Sequence, residues 1–274
     1  MDRAGTAVRS VVDARHGDEI GRRARLELHF RRRGQRTALD HAYAEPPYRI
    51  GRALPDGDGA HFILASSAPG LFGGDRFAQS IVVDAGARVR LTSQSALQVH
   101  PSASGATGEL HARYTVGDGG RLVCEWDPII PFPSARFQQQ LEVTIEGDGQ
   151  LHWSDAMMSG REARGERWCF DRFAHELSLR RRGALVYLER YALEPATVGI
   201  TPPWVAGAAV YFGTVLSVGR GVGETEALQQ ALSAMAGVDA AVDRLEPDVR
   251  LVRLASASGP LFHAARRLCA PGGD

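Results

Sequence analysis

Four glycine-centred turns recur along the chain, each followed by an extended run: DAGARVRLTSQ, GDGGRLVCEW, GDGQLHWSD and RRGALVYLER. Placing Arg88, Arg121, Gln150 and Ala184 in register gives spacings of 33, 29 and 34 residues. A unit of this size cannot bury an apolar face alone, so such units form a core only by stacking on one another. Each has the same grammar of turn, strand, distal loop and returning strand. One unit runs out through Val89–Val99 and back as LHARYTV, the next out through LVCEW and back as FQQQLEVTI, and the last out through LHWSD and back through WCFDRFAHELSLR. An earlier unit, HFILASSAPGLFGGDRFAQSIVV, fits in front. Period-2 alternation, as in Leu141, Val143 and Ile145 against Glu142, Thr144 and Glu146, assigns strands at these positions. The expected fold is mainly β: a stacked β-solenoid-like or layered antiparallel body, with glycine turns closing neighbouring hairpins and two C-terminal helices. A conventional two-sheet sandwich with coincidental turn spacing is the alternative.

The end of the chain changes character. AAVYFGTVLSV and DVRLVRLA read as strands, and GETEALQQALSAMAG and SGPLFHAARRLC as helices. The predicted organisation is a variable N-terminal segment (1–25), a repetitive β body (26–205) and a strand-helix-strand-helix portion of the same domain (206–274). VGRGVGE follows a strand and opens a helix as a dinucleotide loop does, but Glu224 stands where the third glycine belongs, so it reads as an ordinary turn.

Several function classes drop out on composition. The chain holds 32 basic and 32 acidic residues, so no global field favours nucleic acid or anionic lipid. Every basic residue among the 32 is arginine, which removes the P-loop lysine, Schiff-base chemistry and lysine general bases together. No apolar run reaches the roughly 18 residues that a membrane-spanning helix needs, and the charged start MDRAGTAVRSVVDARHGDEI is unlike a signal peptide, so the expected location is the cytoplasm. Cys124, Cys169 and Cys269 form no CxxC, and no histidines are spaced as HxH or HxxxH, so neither a disulfide framework nor a closed metal site is indicated by spacing.

The chemistry-bearing residues cluster at the distal loops. EWDPIIPFPSAR, residues 125–136, is too rich in proline for a helix or a central strand, yet it is apolar and headed by two acids. Stacking at strand spacing gathers Gln98 and His100, Glu125 and Asp127, and Asp155, with Asp75 from the preceding unit. Thr92, Gln94, Gln98 and His100 share one face of a continuous strand on this reading. Amides, hydroxyls and carboxylates so arranged suit a hydrated cation passing through on water-mediated contacts better than one held tightly. The same acids also read as turn caps on a solvated face, or as the acid and base of a glycosidase. Arg161, Arg164 and Arg167 offer partners for carboxylates or for another protein. Ile129, Ile130, Phe132, Met157 and Met158 form either an exposed apolar patch or part of the core.

LFGGD, GARVRLTSQSALQVHPS, DPIIPFPSARF and WSDAMMSGREARGE, in this order, resemble the urease accessory proteins called UreD, or UreH in some organisms; the resemblance runs from about Leu26 to the end. It implies a non-enzymatic maturation factor with a largely β, helix-flanked body and no catalytic residues. Such a factor assists nickel insertion as scaffold and conduit. It binds UreF and through it the GTPase UreG, and docks on apo-urease, giving a hetero-oligomer that dimerises through its partner, with no nucleic acid or membrane contact. Ni2+ crosses an internal water-filled tunnel and is not a tightly bound cofactor. The acids of the GGD and WSD segments match Asp75 and Asp155, and Glu166 of ARGE is a further candidate. Asp127, Glu125 and His100 join them as tunnel-lining candidates from the repeat. Ile130, Phe132, Arg161 and Arg164 are the partner-binding candidates. Two other functions stand beside this one: a β-solenoid carbohydrate-active enzyme using Glu125, Asp127 or Asp155, and a purely structural adaptor.

Overall fold

A computed structural model describes residues 21–270, apart from Val198, Pro203, Trp204, Gly221 and Gly223. Most of the segment read as variable, 1–20, therefore lies outside the described residues, as does part of VGRGVGE. The chain opens with β1 (Arg23–Arg33), which starts inside that segment, and β2 (Arg36–Ala44), followed by the short β3 (Tyr48–Ile50) and β4 (Leu54–Asp56).

Four rungs follow. The first is β5 (Gly59–Ser66), β6 (Leu71–Phe72) and β7 (Arg76–Val83); the second is β8 (Arg88–Ser93), β9 (Leu97–His100) and β10 (Gly108–Val116). The third is β11 (Arg121–Glu125), β12 (Ile129–Pro131) and β13 (Arg136–Ile145). The fourth is β14 (Gln150–Met158), the small ribbon β15 (Gly160–Arg161) and β16 (Glu166–Arg167), and β17 (Arg172–Arg181). Outgoing strands pair in parallel in one sheet, in the order β5, β8, β11, β14, and returning strands pair in parallel in the other, in the order β7, β10, β13, β17.

Between rungs the solenoid arrangement holds rather than the layered antiparallel one. The alignment read from the turns is the observed register: Arg121 pairs with Arg88 on one side and Gln150 on the other. Nor do the glycine turns close hairpins. Each carries the chain from one sheet across to the other, and the turns stack, with Gly86 N–H donating to Asp118 O at 3.0 Å and Asp148 N–H to Asp118 Oδ1 at 2.7 Å. The fourth turn is the exception. Arg182 and Gly183, both at positive φ, make a true hairpin, and β18 (Ala184–Leu193) returns antiparallel on β17 instead of starting a fifth rung. Ala184 is thus not equivalent to Arg88, Arg121 and Gln150.

The outgoing sheet is completed by β19 (Tyr211–Val218), which pairs antiparallel with β14, then β21 (Val249–Ser256) and β20 (Val238–Glu246). Of these, β20 was not foreseen, because VDAAVDRLE mixes small and charged residues and follows directly on a helical pattern. The helices α1 (Thr225–Ser233) and α2 (Gly259–Leu268) cover the outer face of this sheet, Leu232 of α1 and Phe262 of α2 packing over Val215, Val252 and Leu254. Ser258 caps α2, its hydroxyl oxygen accepting from Leu261 N–H, with Pro260 in the first turn. The main core lies between the sheets and includes Phe30, Phe62, Leu91, Leu122, Phe137, Trp153 and Phe173. No helix among the described residues is long and apolar enough to cross a membrane.

Close approach of rungs at the distal corner depends on glycine. A Cβ at Gly70 falls 2.2 Å from the backbone oxygen of Gln98, an atom fixed by the neighbouring rung. Gly70→Ala is expected to lower stability by about 1–3 kcal/mol, as overpacking does, seen as an earlier urea midpoint. Gly34, at φ 60° in the open β1–β2 turn with nothing near its Cβ, should accept asparagine with little change.

Candidate functional site

In-register stacking turns each inward position into a row that crosses the sheet. In the returning sheet one such row reads Phe77, Leu110, Gln139, His175 and Tyr191. Opposite, in the outgoing sheet, Asp155, Thr214 and Arg253 form a row through β14, β19 and β21. The returning row changes from apolar to polar toward the end where β18 is outermost, and the outgoing row, polar throughout, runs toward the same end, where β20 is outermost. The sheets do not close on each other there. A cavity of about 580 Å³ lies between them, with Met157, Trp168, Phe173, Ile200 and Phe212 as apolar wall and Gln139, Asp155, His175, Glu189, Thr214 and Arg253 among its polar groups.

A second cavity, of about 350 Å³, continues between the sheets toward the earlier rungs. Gln79, Ser93, Gln94, Gln98, Tyr114, Asp127 and Trp153 are among its lining residues. Ile129, Gln139, Asp155 and Ala156 line both cavities, so the partition is one layer of side chains. Among the described residues, Asp155 is the only carboxylate on that shared wall.

Asp155 accepts a hydrogen bond from Trp153 Nε1 at 3.0 Å. Burial pushes its carboxyl above the usual range, an effect that nearby His175 and the Trp153 bond offset only in part. Its neighbours are tightly tied. His175 Nδ1 lies 3.1 Å from Gln139 Oε1, and its ring stacks on Tyr191 at 5.1 Å between centroids. The buried Glu189 carboxylate is ion-paired with Arg253 and accepts from Tyr187 OH at 3.1 Å, while Arg253 also donates to Thr214 Oγ1 at 3.4 Å and to Tyr187 OH at 2.7 Å. Along the second cavity, Tyr114 OH donates to Gln79 Oε1 at 3.0 Å and Gln79 Nε2 donates to Tyr48 OH at 3.1 Å. No group of three or more His, Cys, Asp or Glu side chains among the described residues is arranged to hold a metal ion.

Of the residues the sequence proposed, Asp127, Asp155 and Gln98 come together on the second cavity. Asp127 is fixed there by a reciprocal pair of bonds, its N–H donating to Ser93 Oγ at 2.8 Å and its carboxylate accepting from the same hydroxyl at 3.0 Å. The others lie elsewhere. Asp75 is buried and accepts from the N–H groups of Arg22, at 2.7 Å, and Phe72, at 3.0 Å, clamping the turn before β7 to the start of β1; it lines neither cavity. Glu125 is ion-paired with Arg90 at 2.6 Å. His100 is sandwiched between Phe72 and Phe132, with ring centroids 4.5 and 4.3 Å away. The shared face expected for Thr92, Gln94, Gln98 and His100 is broken because β8 ends at Ser93 and β9 starts at Leu97. Gln94 and Gln98 turn to the cavity, whereas Thr92 bonds His61 at 2.8 Å.

The partner-binding candidates sit around this distal corner. Ile130 and Phe132 are half-buried, while Ile129 and Met157 belong to the core. Arg161 lies 3.9 Å above the Phe132 ring and is paired through two bonds with Glu166, at 2.5 and 2.7 Å. Arg164 is exposed on the single turn Glu162–Arg164.

Gln139, His175, Glu189, Thr214 and Arg253 were not singled out from the sequence. A signal existed for two of them, since Gln139 in FQQQLEV and His175 in FAHELSL occupy inward positions that the alternation reserves for apolar side chains. Glu189 and Arg253 had none, because their meeting depends on the hairpin β17–β18 and on β21 crossing beside β19.

A model of the family described as UreD urease accessory protein matches residues 22–270. Similar curated proteins include a urease accessory protein UreD of Sorangium cellulosum, 37% identical over 170 residues, which cover 62% of this chain and 54% of that protein. A UreD of Azoarcus sp. is 39% identical over 189 residues, 68% of this chain and 65% of the relative. A urease accessory protein UreH of Helicobacter pylori is 25% identical over 236 residues, 85% of this chain and 88% of the relative. The matched regions thus span between half and two thirds of the first two relatives.

Behind the cavity wall, on the α2 side of the sheet, His152 is buried against Ser217, with its Nδ1 3.2 Å from the hydroxyl oxygen. Burial, reinforced by the charges of Arg250 and Arg266, pulls its pKa down to about 4. Unfolding frees the imidazole to take a proton below its ordinary value of about 6.5, so stability is complete above that pH and falls as the pH drops toward 4. Urea titrations at pH 7.5 and 4.5 should show a loss of roughly 2–3 kcal/mol attributable to this residue. That part of the pH dependence should be missing in His152→Gln.

Proposed function

The chain belongs to the UreD urease accessory protein family, and we propose that it is a non-enzymatic maturation factor that assists nickel insertion into apo-urease in the cytoplasm. It works in a complex with UreF and, through UreF, the GTPase UreG, as scaffold and as conduit for Ni2+, which is cargo and not a resident cofactor. The observation that supports a conduit most is the position of Asp155, the one carboxylate among the described residues on the wall shared by two neighbouring cavities between the sheets.

A hydrated divalent ion moving between the sheets needs a route where its water shell finds hydrogen-bond partners but no closed set of ligands replaces that shell. Gln79, Gln98, Tyr114 and Asp127 in one cavity, and Gln139, Thr214 and Glu189 in the other, supply such partners between apolar walls. Asp155 supplies charge at the partition. An approaching cation favours its ionised form, against the burial that raises its pKa. Arg266, on α2, holds the partition in place from behind by donating to Trp126 O at 2.8 Å and to Ser154 O at 3.1 Å, residues adjacent to Asp127 and Asp155. Asp75 serves the same route indirectly on this reading, by clamping the rung that carries Gln79.

The distal corner, with exposed Phe72 and Arg164 beside Ile130, Phe132 and Arg161, is the proposed partner-facing surface. A charged replacement there, Ile130→Glu, should weaken assembly without touching the interior.

Asp155→Asn separates conduit from scaffold. Removing a desolvated charge while keeping an oxygen for Trp153 should leave the folded chain as stable as wild type or about 1 kcal/mol more so. Co-purification with partners should persist, and urease activation in a reconstituted assay should fall several-fold. Wild-type activation by this variant would leave the scaffold role and remove the conduit.

A further inference from the structure

The two sheets are not equally wide at their open end. β21 of the outgoing sheet stands opposite β18, the outermost strand of the returning sheet, with Arg253 donating to Glu189 and to Tyr187 OH. β20 lies one strand further out and has no strand opposite it among the described residues. Its inward side chains are Asp239, Ala241 and Asp243, because they pair with Ala255, Arg253 and Leu251 and cross-strand partners share a face. All three are exposed, and neither aspartate is ion-paired among the described residues. The space beside β18 is thus one strand wide and roofed by acidic side chains.

A strand edge offers N–H and C=O groups to any chain that can lie along it. The edge of β20 is closed by α1, since Gln229 Nε2 donates to Ala240 O at 3.2 Å and Gln229 Oε1 accepts from Val242 N–H at 2.9 Å, as a neighbouring strand would. No such strap reaches β18. Among the described residues, no hydrogen bond from outside the β17–β18 ladder meets the backbone of Ala184–Leu193. The segment leading to β19 crosses at the Leu193 end, where Ile200 and Val205 help to line the larger cavity, so the stretch 184–190 stays open. On the outer face of that stretch, Leu185 and Leu188 are 47% and 45% exposed.

We propose that the β18 edge receives an extended segment of a partner protein as an added strand, with basic side chains turned inward under Asp239 and Asp243 and apolar ones outward beside Leu185 and Leu188. Strand addition draws affinity from main-chain hydrogen bonds and specificity from the surroundings of alternate side chains. Here the two faces ask for opposite chemistry, which fixes the alternation of the partner segment. The charges of β18 itself do not interfere, because Glu189 is held by Arg253 and Arg190 by Glu176. This is a docking surface away from the distal corner, and it stands whether or not ions pass through the interior.

Fluorescence anisotropy tests this with a labelled peptide of alternating lysine and valine, as long as β18, titrated with the full-length chain. The alternating peptide should bind, and one of the same composition with its lysines and valines in two blocks should bind several-fold more weakly. Asp239→Asn combined with Asp243→Asn, both at exposed positions where folding is not at stake, should weaken the alternating peptide about fivefold, as loss of two exposed ion pairs does. Backbone methylation gives a readout that charge attraction alone would not move. In a strand the valine N–H groups all point to one side and the lysine N–H groups to the other. Methylating the central valine nitrogens in one peptide and the central lysine nitrogens in another should therefore abolish binding in one and spare it in the other. Absence of binding, equal binding of alternating and block peptides, the same effect of both methylations, or wild-type affinity in the aspartate variant overturns the proposal. So does a dimer of the chain in sedimentation that the alternating peptide dissociates, because the edge then belongs to a second copy.

Discussion

In-register parallel pairing of successive rungs is the constraint on which the rest of this structure depends. Arg88, Arg121 and Gln150 align because each follows a glycine turn of the same reach, and each outgoing strand keeps that alignment along its length, while the returning strands align anew past distal loops of different length. Side chains in a strand alternate between faces, so a slip of one residue would exchange interior for exterior along the whole strand. Register therefore decides more than packing. It fixes which side chains become neighbours in rows that cross the sheets, and the rows decide where the interior is dry and where it is polar.

Those rows explain why the core is apolar at one end and hollow at the other. Near the early rungs they hold residues such as Phe62 and Leu91, which fill the space between the sheets. Further along, Gln139, His175 and Tyr191 face Asp155, Thr214 and Arg253, and polar side chains that must keep hydrogen-bond partners cannot pack as densely as leucine. The result is a pair of cavities meeting at Asp155. On the reading proposed above, this interior serves the family's role in urease maturation, its groups suiting an ion that is handed on and not one that is kept.

Much of the body was legible from the chain because it is local and repetitive. The rungs follow from glycine turns and alternation, and the placement of Asp127 and Asp155 on one cavity follows from stacking. Where the reading departed from the structure, a non-local event had intervened. Ala184 breaks the series because Arg182 and Gly183 turn back as a hairpin, and Thr92 leaves the cavity face because residues 94–96 interrupt the strand. Asp75 and Glu125 look like interior acids in the sequence but find nearer partners, two backbone N–H groups and Arg90. Glu189 and Arg253, 64 residues apart, meet only because two sheets approach at their open end, and no pattern in a single strand records that.

The central claim is that Asp155 stands in a continuous wet passage between the two cavities. The most direct measurement is a crystal structure of the full chain at a resolution that orders internal water. An unbroken file of waters from Ser93 and Asp127, past Asp155 and Gln139, to Glu189 and Arg253 is the predicted result. A dry apolar seal on either side of Asp155, with its carboxyl reached by no water, would contradict the account.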